Sequence, residues 1–265
     1  MSKESPSSLD YTEPLFIQNR DLAHGHDDKV LSATGTFVKW QGQHYVVTCR
    51  HVLEAVRWEQ KETLAIMAGR GILNFSSPTP SGPISSFREL EARRDGSKPD
   101  IAISRLPAHW WNQITKNKSK KAVDLDAWVE PVWPEIRIAK ACGWLQNYKE
   151  MSDEHVSTTG VWIVAEMASA ISPQAPEFTM FSPDAENALT LLSGVSGGVV
   201  VSEQNNVEVP IGVVFEGFPG EADSLGDNRP AAAYTQPGDL MVRGHVLTPE
   251  IFQDWLQRRS DLGRP

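Results

Sequence analysis

A serine set between glycines is the residue pattern with the clearest chemical potential. Residues 193–198 read Ser-Gly-Val-Ser-Gly-Gly and stand between two leucines and a run of three valines. Glycines on both sides of Ser196 permit backbone conformations that a side chain forbids, and they let a substrate carbonyl come close. Such a turn can aim the backbone N–H groups of Gly194 and Ser196 at one point, as an oxyanion hole requires. The pattern predicts a nucleophilic Ser196, although a chance glycine turn also fits this string alone.

A histidine and an aspartate at strand ends could serve this serine. The apolar run 45–47 leads to His51, and an imidazole suits general-base work because its ordinary pKa lies close to neutral pH. Asp100 stands directly before the apolar run 101–106, where aspartate is either a turn former or a buried partner for a specific group. Each residue alone fits a structural role. The three residues occur in one chain in the order His51, Asp100 and Ser196. This order favours an interpretation in which the histidine is a general base, the aspartate orients it and the serine is the nucleophile.

These strings resemble the motifs of the trypsin/chymotrypsin family of serine proteases. Residues 48–51 look like its Thr-Ala-Ala-His motif, residues 100–102 like Asp-Ile-Ala, and residues 194–198 like Gly-Asp-Ser-Gly-Gly. The resemblance extends over roughly residues 30–258. It implies a serine endopeptidase that works through a Ser-His-Asp triad and an acyl-enzyme intermediate. It also implies two packed six-stranded antiparallel β-barrels with a C-terminal helix, and a catalytic cleft between the barrels.

The hydrophobic pattern independently predicts an all-β chain. Short apolar, β-branched runs separated by turn-rich sequence are typical of barrels and sandwiches. A hairpin is expected over 35–47, with its turn at 41–43, and further strands are expected at 64–68, 101–106, 136–144, 159–165, 195–201 and 210–215. One helix should close the chain, because Thr248 can cap it and Pro249 suits its first turn.

Composition and these motifs together give a domain division. We expect a flexible N-terminal arm (1–28), a first β-barrel with His51 and Asp100 (29–110), an inter-barrel linker (111–128), a second β-barrel with Ser196 (129–247), and a C-terminal helix and tail (248–265). The lysine-rich run within the linker is interpreted as solvated. The segment 74–96, rich in serine, proline and glycine, is expected to be a long surface loop.

Charge and cysteine content exclude several classes of protein. The 265 residues carry a formal net charge of -9, which argues against nucleic-acid binding, because phosphate recognition relies on lysine and arginine. The two cysteines, Cys49 and Cys142, allow at most one disulfide and are expected to be reduced. The polar N-terminus lacks a secretory pattern, and no apolar run has the length of a membrane span. We expect a cytoplasmic protein with no membrane partner.

The substrate pocket is the part on which the sequence is least informative. The resemblance places Thr190, Phe215, Glu216 and Gly217 at the substrate, and Thr190 does not support a salt bridge to a basic residue. Glu216 could supply a charge instead, although a solvated acid also fits. We expect a protein or peptide substrate with a small or medium uncharged residue at the cleavage position, and an activating or regulatory protein as a further partner.

Activation is expected to differ from that of pancreatic relatives. Val195 occupies the position at which those relatives carry an aspartate that pairs with a newly cleaved N-terminus. A new amine at Val30 would have no such partner, which favours control by loop ordering or by a partner. We expect no cofactor and no metal, because His24 and His26 in an acidic arm lack the spacing and rigidity of a zinc site.

Two alternatives remain open at this stage. Residues 194–198 also satisfy the Gly-x-Ser-x-Gly elbow of α/β-hydrolases, with Asp227 or Asp239 and His245 following in that fold's order. Such an elbow must lead into a helix, whereas the valines at 199–201 predict a strand. The second alternative is a catalytically dormant binding module with a protease fold that holds a partner with its long loops.

Overall fold

Runs of apolar residues place most of the described chain in β-strands. The computed structural model describes residues 7–19, 32–68, 71–75, 86–93, 96–145, 150–151, 156–182, 194–219 and 240–259. Many strands are buried on both faces, which explains why their sequences do not alternate between apolar and polar residues. In the strand that precedes His51, for example, Val46 faces the core of one sheet and Val47 faces a neighbouring cluster. The expected all-β class is confirmed.

The first half of the chain forms one curled antiparallel sheet of eight strands, of which the last joins in parallel. These are β1 (Thr12–Asn19), β2 (Ser32–Trp40), β3 (Gln43–Thr48), β4 (Glu62–Ala68), β5 (Gly71–Phe75), β6 (Arg88–Glu89), β7 (Ala102–Leu106) and β8 (Val123–Asp124). Their order is β5-β4-β1-β2-β3-β7-β6, with β8 beside β2. The predicted hairpin is confirmed as β2 and β3.

This first sheet is an open half-barrel within the described residues, and not the closed six-stranded barrel that was expected. Its edge strands, β5 and β6, do not pair with one another in the part of the chain that the structure describes. β6 is only two residues long and pairs with β7 alone, so it offers too few backbone groups to close the sheet.

The second half contains a closed six-stranded barrel. Its strands and a small separate pair are β9 (Ile138–Trp144), β10 (Glu150–Met151), β11 (Val156–Ser157), β12 (Gly160–Met167), β13 (Glu177–Ser182), β14 (Val199–Gln204), β15 (Val207–Pro219) and β16 (Leu240–Val246). The barrel closes in the order β12-β13-β16-β15-β14-β9, while β10 pairs with β11. Bulges shift the register of β15 against both neighbours, near Val200 and near Val214.

In the described part of the chain, three α-helices accompany the strands: α1 (Arg50–Glu54), α2 (Ala108–Lys118) and α3 (Pro249–Gln257). The Thr248 side chain accepts a hydrogen bond from the backbone N–H of Ile251 at 3.2 Å, so the predicted cap is confirmed. Among the helices in the described part of the chain, none has the length and apolar character needed to cross a membrane.

Besides the open first sheet, two more differences from the sequence prediction are present, and the first of these lies in the N-terminal arm. Residues 12–19 form β1, which pairs with both β2 and β4 in the interior of the first sheet. Leu15 and Phe16 are almost fully buried. Their apolar area stabilises an ordered strand, although the surrounding composition is polar.

The second difference lies in the predicted linker, which contains α2. The helix buries Ile114 and packs Trp110 and Trp111 against the core of the first sheet. Two lysines of the basic run are not solvated, because Lys118 and Lys120 both pair with Glu13 of β1, which is 2% exposed. A buried carboxylate needs such partners, since an isolated charge is costly to remove from water.

Besides the apolar cores of the first sheet and of the closed barrel, another apolar cluster lies between these two parts of the protein. It contains Val38, Val47 and Ile103 of the first sheet, and Val199, Val201 and Val213 of the barrel, and α3 adds Phe252 and Trp255. Because this cluster is continuous across the two sheets, it fixes their relative position and leaves a cleft where the ends of the strands meet.

Loss of the α3 cap tests how much this helix contributes to stability. Thr248→Ala should lower the free energy of unfolding by about 1 kcal/mol, because the N–H of Ile251 loses its acceptor. Urea denaturation checks this value. Thr115→Ala, inside α2, is the control and should be neutral within roughly 0.5 kcal/mol, since alanine is the better helix former there. An unchanged Thr248→Ala protein would show that the cap contributes nothing.

Candidate active site

The Asp100 carboxylate contacts both the backbone and the side chain of His51. One carboxylate oxygen accepts the backbone N–H of His51 at 3.0 Å, and the other lies 2.5 Å from the ring nitrogen Nδ1. α1 carries His51 just beyond the end of β3, and Asp100 precedes β7, which pairs with β3. The ladder between these two strands brings the residues together although they are 49 positions apart. This contact engages Nδ1 and leaves Nε2 as the ring nitrogen that Asp100 does not hold.

The charge of Asp100 is maintained by its neighbours. Partial burial would raise the pKa of this carboxyl, but the hydrogen bonds from the ring and backbone of His51, together with the charge of Arg50, outweigh burial and hold it below its usual value. The Arg50 Nε atom lies 3.8 Å from the carboxylate. Asp100 is consequently ionised at neutral pH and can stabilise a positive charge on the imidazole.

Ser196 lies in the same cleft as these two residues. The cleft has a volume of about 520 Å³ and is lined by Arg50, His51, Asp100, Ser196, Phe215, Glu216 and Gly217. The structure therefore brings together the three residues that the sequence singled out for chemistry. It also brings in three of the four predicted substrate residues, while Thr190 lies outside the described residues.

The serine loop, residues 194–198, has a backbone that depends on its glycines. Gly194 and Gly197 both have positive φ angles, of 99° and 89°, which side chains rarely allow. A Cβ atom on Gly197 would lie 2.0 Å from the carbonyl oxygen of Thr34, so the loop backbone is in direct contact with β2. The sequence predicted this need for glycine, but not the strand that causes it.

Three backbone donors of the serine loop have no acceptor within the described residues. They are the N–H groups of Gly194, Val195 and Ser196, whereas the N–H groups of Gly197 and Gly198 bond to the carbonyls of Val214 and Val195. Of the three, Ser196 belongs to the lining of the cleft, so its N–H group is available to a ligand there. Donors of this kind are suited to bind a developing negative charge on oxygen.

The predicted charge of Glu216 is compensated in the structure. Its carboxylate binds Arg243 at 2.9 Å, and the same guanidinium binds Glu177 at 2.9 Å. Arg243 also lies over the Phe215 ring, 4.9 Å from its centroid. Glu216 thus lines the cleft as one end of an ion-pair network, so it is neither a free acidic pocket nor a purely solvated side chain.

A buried histidine supports this wall of the cleft. His245 of β16 stacks on Phe215 at 4.3 Å and has Trp255 on its other side. Burial lowers the pKa of His245 to about 4, against the smaller opposing effects of the Asp100 charge and a hydrogen bond to Pro176. The ring is therefore neutral at pH 7 and acts as a packing element.

The serine loop leads into β14, a strand, and not into a helix. This contradicts the nucleophile elbow of an α/β-hydrolase. Of the partners considered for that alternative, Asp227 and Asp239 lie outside the described residues, and His245 is enclosed between two aromatic rings.

The geometry does not favour a metal at this site. Ligand atoms of Cys49, His51 and Asp100 lie within 4.8 Å of one another. However, burial raises the pKa of the Cys49 thiol well above its ordinary value, and this thiol donates to the carbonyl of Val214 at 3.2 Å. A protonated thiol is a poor metal ligand. Both cysteines are free and buried, as expected, while His24 and His26 lie outside the described residues.

Three contributors to the site were missed in the sequence. Arg50 sits in the string that was read for His51, and Thr34 and Arg243 lie on strands whose pairing the sequence does not reveal. Only Arg50 carried a usable signal. A cation next to His51 in the sequence could have been expected to pair with the acid that contacts this histidine. Comparisons with models of known protein families and with curated proteins found no match for this chain.

The contact between the serine loop and β2 can be tested with two glycines of positive φ. Gly197→Ala should lower the free energy of unfolding by roughly 3 kcal/mol or more, because the new methyl group meets backbone. Gly42→Ala is the matched control, since φ is 68° and no atom lies within 4 Å of its Cβ position. It should cost only about 1 kcal/mol of conformational strain. Equal losses in urea denaturation would contradict the close contact.

Burial of His245 predicts an acid sensitivity. The unfolded chain takes up a proton near pH 6.5, whereas the folded chain does so only near pH 4, so the unfolded state binds more protons between these values. The wild type should lose roughly 2 to 3 kcal/mol of unfolding free energy from this group as the pH falls from 6.5 to 4. His245→Phe should lack this loss.

Denaturation curves of both proteins across this pH range measure the difference. Trp255→Phe serves as the control, because it alters the packing beside His245 but keeps the titrating group. It should lower stability by a similar amount at every pH. Parallel pH profiles for wild type and His245→Phe would show that the buried ring does not titrate as described.

Proposed function

We propose that the protein is a serine endopeptidase with a chymotrypsin-like arrangement. In this proposal the curled first sheet stands in the place of the first barrel and the closed barrel is the second. One observation carries the proposal. The Asp100 carboxylate contacts both the backbone N–H and the ring of His51, in a cleft that Ser196 also lines. A purely structural role would not account for an exposed ring that is held by an ionised acid in the same cleft as a serine.

The chemistry follows from the roles of these groups. Ser196 Oγ attacks the carbonyl carbon of the scissile peptide bond, and His51 Nε2 accepts the hydroxyl proton. The N–H groups of Gly194 and Ser196 bind the oxyanion that forms. His51 then returns the proton to the leaving amine as the C–N bond breaks, which leaves an ester on Ser196. A water molecule, deprotonated by His51, hydrolyses that ester and restores the enzyme.

Asp100 serves both halves of this cycle. Its carboxylate holds the ring with a proton on Nδ1, so that Nε2 is the lone-pair nitrogen, and it stabilises the imidazolium that forms twice per turnover. Because the neighbouring groups hold the pKa of Asp100 below its usual value, the carboxylate stays charged under all conditions in which His51 can act as a base.

The substrate proposal rests on the wall formed by residues 215–217. Phe215 and Gly217 border the cleft beyond the end of the ladder between β14 and β15, which stops at Val213, and an extended peptide could lie alongside β15 there. Glu216 is already paired with Arg243, so a basic substrate side chain would have to compete with an existing ion pair. We therefore propose an uncharged residue at the cleavage position of a protein or peptide substrate.

A fluorophosphonate probe tests for an activated Ser196. Attack by Oγ forms an O–P bond and expels fluoride, while His51 takes the proton. Intact mass should show one adduct per wild-type chain and none on Ser196→Ala. Ser202→Ala is the matched control, since this buried serine lies on β14 away from the cleft, and it should be labelled like the wild type.

The outcomes separate the two functions that the sequence left open. One adduct that depends on Ser196 supports an assembled hydrolytic site. An adduct that persists in Ser196→Ala places the reactive group elsewhere and contradicts the proposal. If no variant is labelled while the wild type is folded, the site is inactive as it stands, which favours a binding module with a protease fold.

A further inference from the structure

A buried threonine of the first sheet makes two hydrogen bonds to the serine loop and a third to β9 of the closed barrel. The Thr34 hydroxyl donates to the carbonyl of Gly194 at 2.7 Å and accepts the backbone N–H of Trp144 at 3.0 Å. Its own backbone N–H donates to the carbonyl of Ser196 at 3.0 Å. Thr34 is fully buried, so water cannot replace these partners. A single residue of β2 therefore connects the first sheet to the serine loop and to Trp144 of β9 in the closed barrel.

Two further threonines reinforce this attachment. The hydroxyl of Thr36, two positions along β2, donates to the carbonyl of Gly197 at 2.7 Å. Thr48 of β3 donates to the carbonyl of Thr34 at 2.9 Å, which fixes the strand itself. Both threonines are also fully buried. Hydroxyl groups of the first sheet therefore hold the serine loop, which continues into β14 of the closed barrel.

These bonds determine the orientation of the peptide that carries the Ser196 N–H. That peptide has the carbonyl of Val195, which accepts from Gly198 at 2.8 Å, and it is flanked by the held carbonyls of Gly194 and Ser196. Because a peptide unit is planar, fixing the carbonyls on and beside it also fixes the direction of its N–H. Such bonds matter in this loop, because its glycines alone would leave the backbone conformationally permissive.

The opposite side of the loop is held by packing. Val195 is 1% exposed and belongs to the apolar core of the closed barrel. The loop is thus clamped between an apolar side chain in the barrel and the Thr34 hydroxyl on β2. Loss of the buried hydroxyl would leave the carbonyl of Gly194 and the N–H of Trp144 without these partners, which is unfavourable for buried polar groups.

We propose that Thr34 is a positioning residue that keeps the N–H group of Ser196 directed at the oxyanion. This inference rests on the proposed function. Thr34 does not touch the substrate, and it acts through the loop backbone alone. Its effect should therefore appear in the rate of acylation and not in the affinity of the first encounter or in the pH profile, because the contact between His51 and Asp100 is untouched.

The test compares Thr34→Val, which has nearly the same shape and no hydroxyl, with Thr34→Ser, which keeps the hydroxyl. Saturation kinetics of fluorophosphonate labelling separate the limiting rate from the half-saturating concentration. Thr34→Val should lower the limiting rate by roughly 10- to 100-fold with little change in half-saturation or in the midpoint of the pH profile. Thr34→Ser should lie within about threefold of the wild type.

Thr63→Val is the matched control. Thr63 is a buried threonine on β4 whose hydroxyl has no hydrogen-bond partner within the described residues, so its loss should not affect labelling. Labelling of Thr34→Val at the wild-type rate would overturn the inference. So would equal slowing by Thr34→Val and Thr34→Ser, because the hydroxyl would then not be the group that matters.

Amide hydrogen exchange provides a readout that does not depend on catalysis. In a Ser196→Ala background, Thr34→Val should speed exchange of the segment 194–198 at least tenfold relative to the single variant, with β12 unchanged as an internal reference. Unchanged exchange overturns the inference even if the wild type is labelled. If the wild type is not labelled, the proposed function fails, and faster exchange in the Thr34→Val protein still supports the holding role of Thr34.

Discussion

The contact between the backbone of the serine loop and β2 is the constraint on which the rest of the site depends. At Gly197 the serine loop and β2 approach each other so closely that a methyl group on Gly197 would overlap the carbonyl of Thr34. This approach lets buried hydroxyls of one sheet bond to carbonyls of a loop that belongs to the other. The position of Ser196 is therefore set by the first sheet as much as by the barrel that contains it.

The same junction accounts for the position of His51. β3 lies beside β2 in the first sheet and ends at Thr48, whose hydroxyl also bonds to Thr34. The strand that delivers His51 and the strand that holds the loop of Ser196 are thus neighbours, joined by a regular ladder. Asp100 enters from β7 on the other side of β3. Three adjacent strands carry or hold every group that the proposed chemistry needs.

Charges around the cleft are arranged in pairs that restrict which side chains can respond to a substrate. Arg50 stands beside Asp100, and Arg243 lies between Glu216 and Glu177. The His245 ring behind Phe215 is neutral at pH 7, because burial lowers its pKa to about 4.

The sequence by itself determined the all-β class, the hairpin 35–47, the cap of α3 and the three residues that meet in the cleft, because these depend on local pattern and on side-chain chemistry. It did not reveal β1, α2, the pairing of Glu13 with Lys118 and Lys120, or the role of Thr34. Those features depend on contacts between positions far apart in the chain, such as the contact between Thr34 and Gly194. Only the tertiary structure decided them, because burial turns an ordinary threonine into a fixed hydrogen-bonding group and a lysine run into partners for a buried acid.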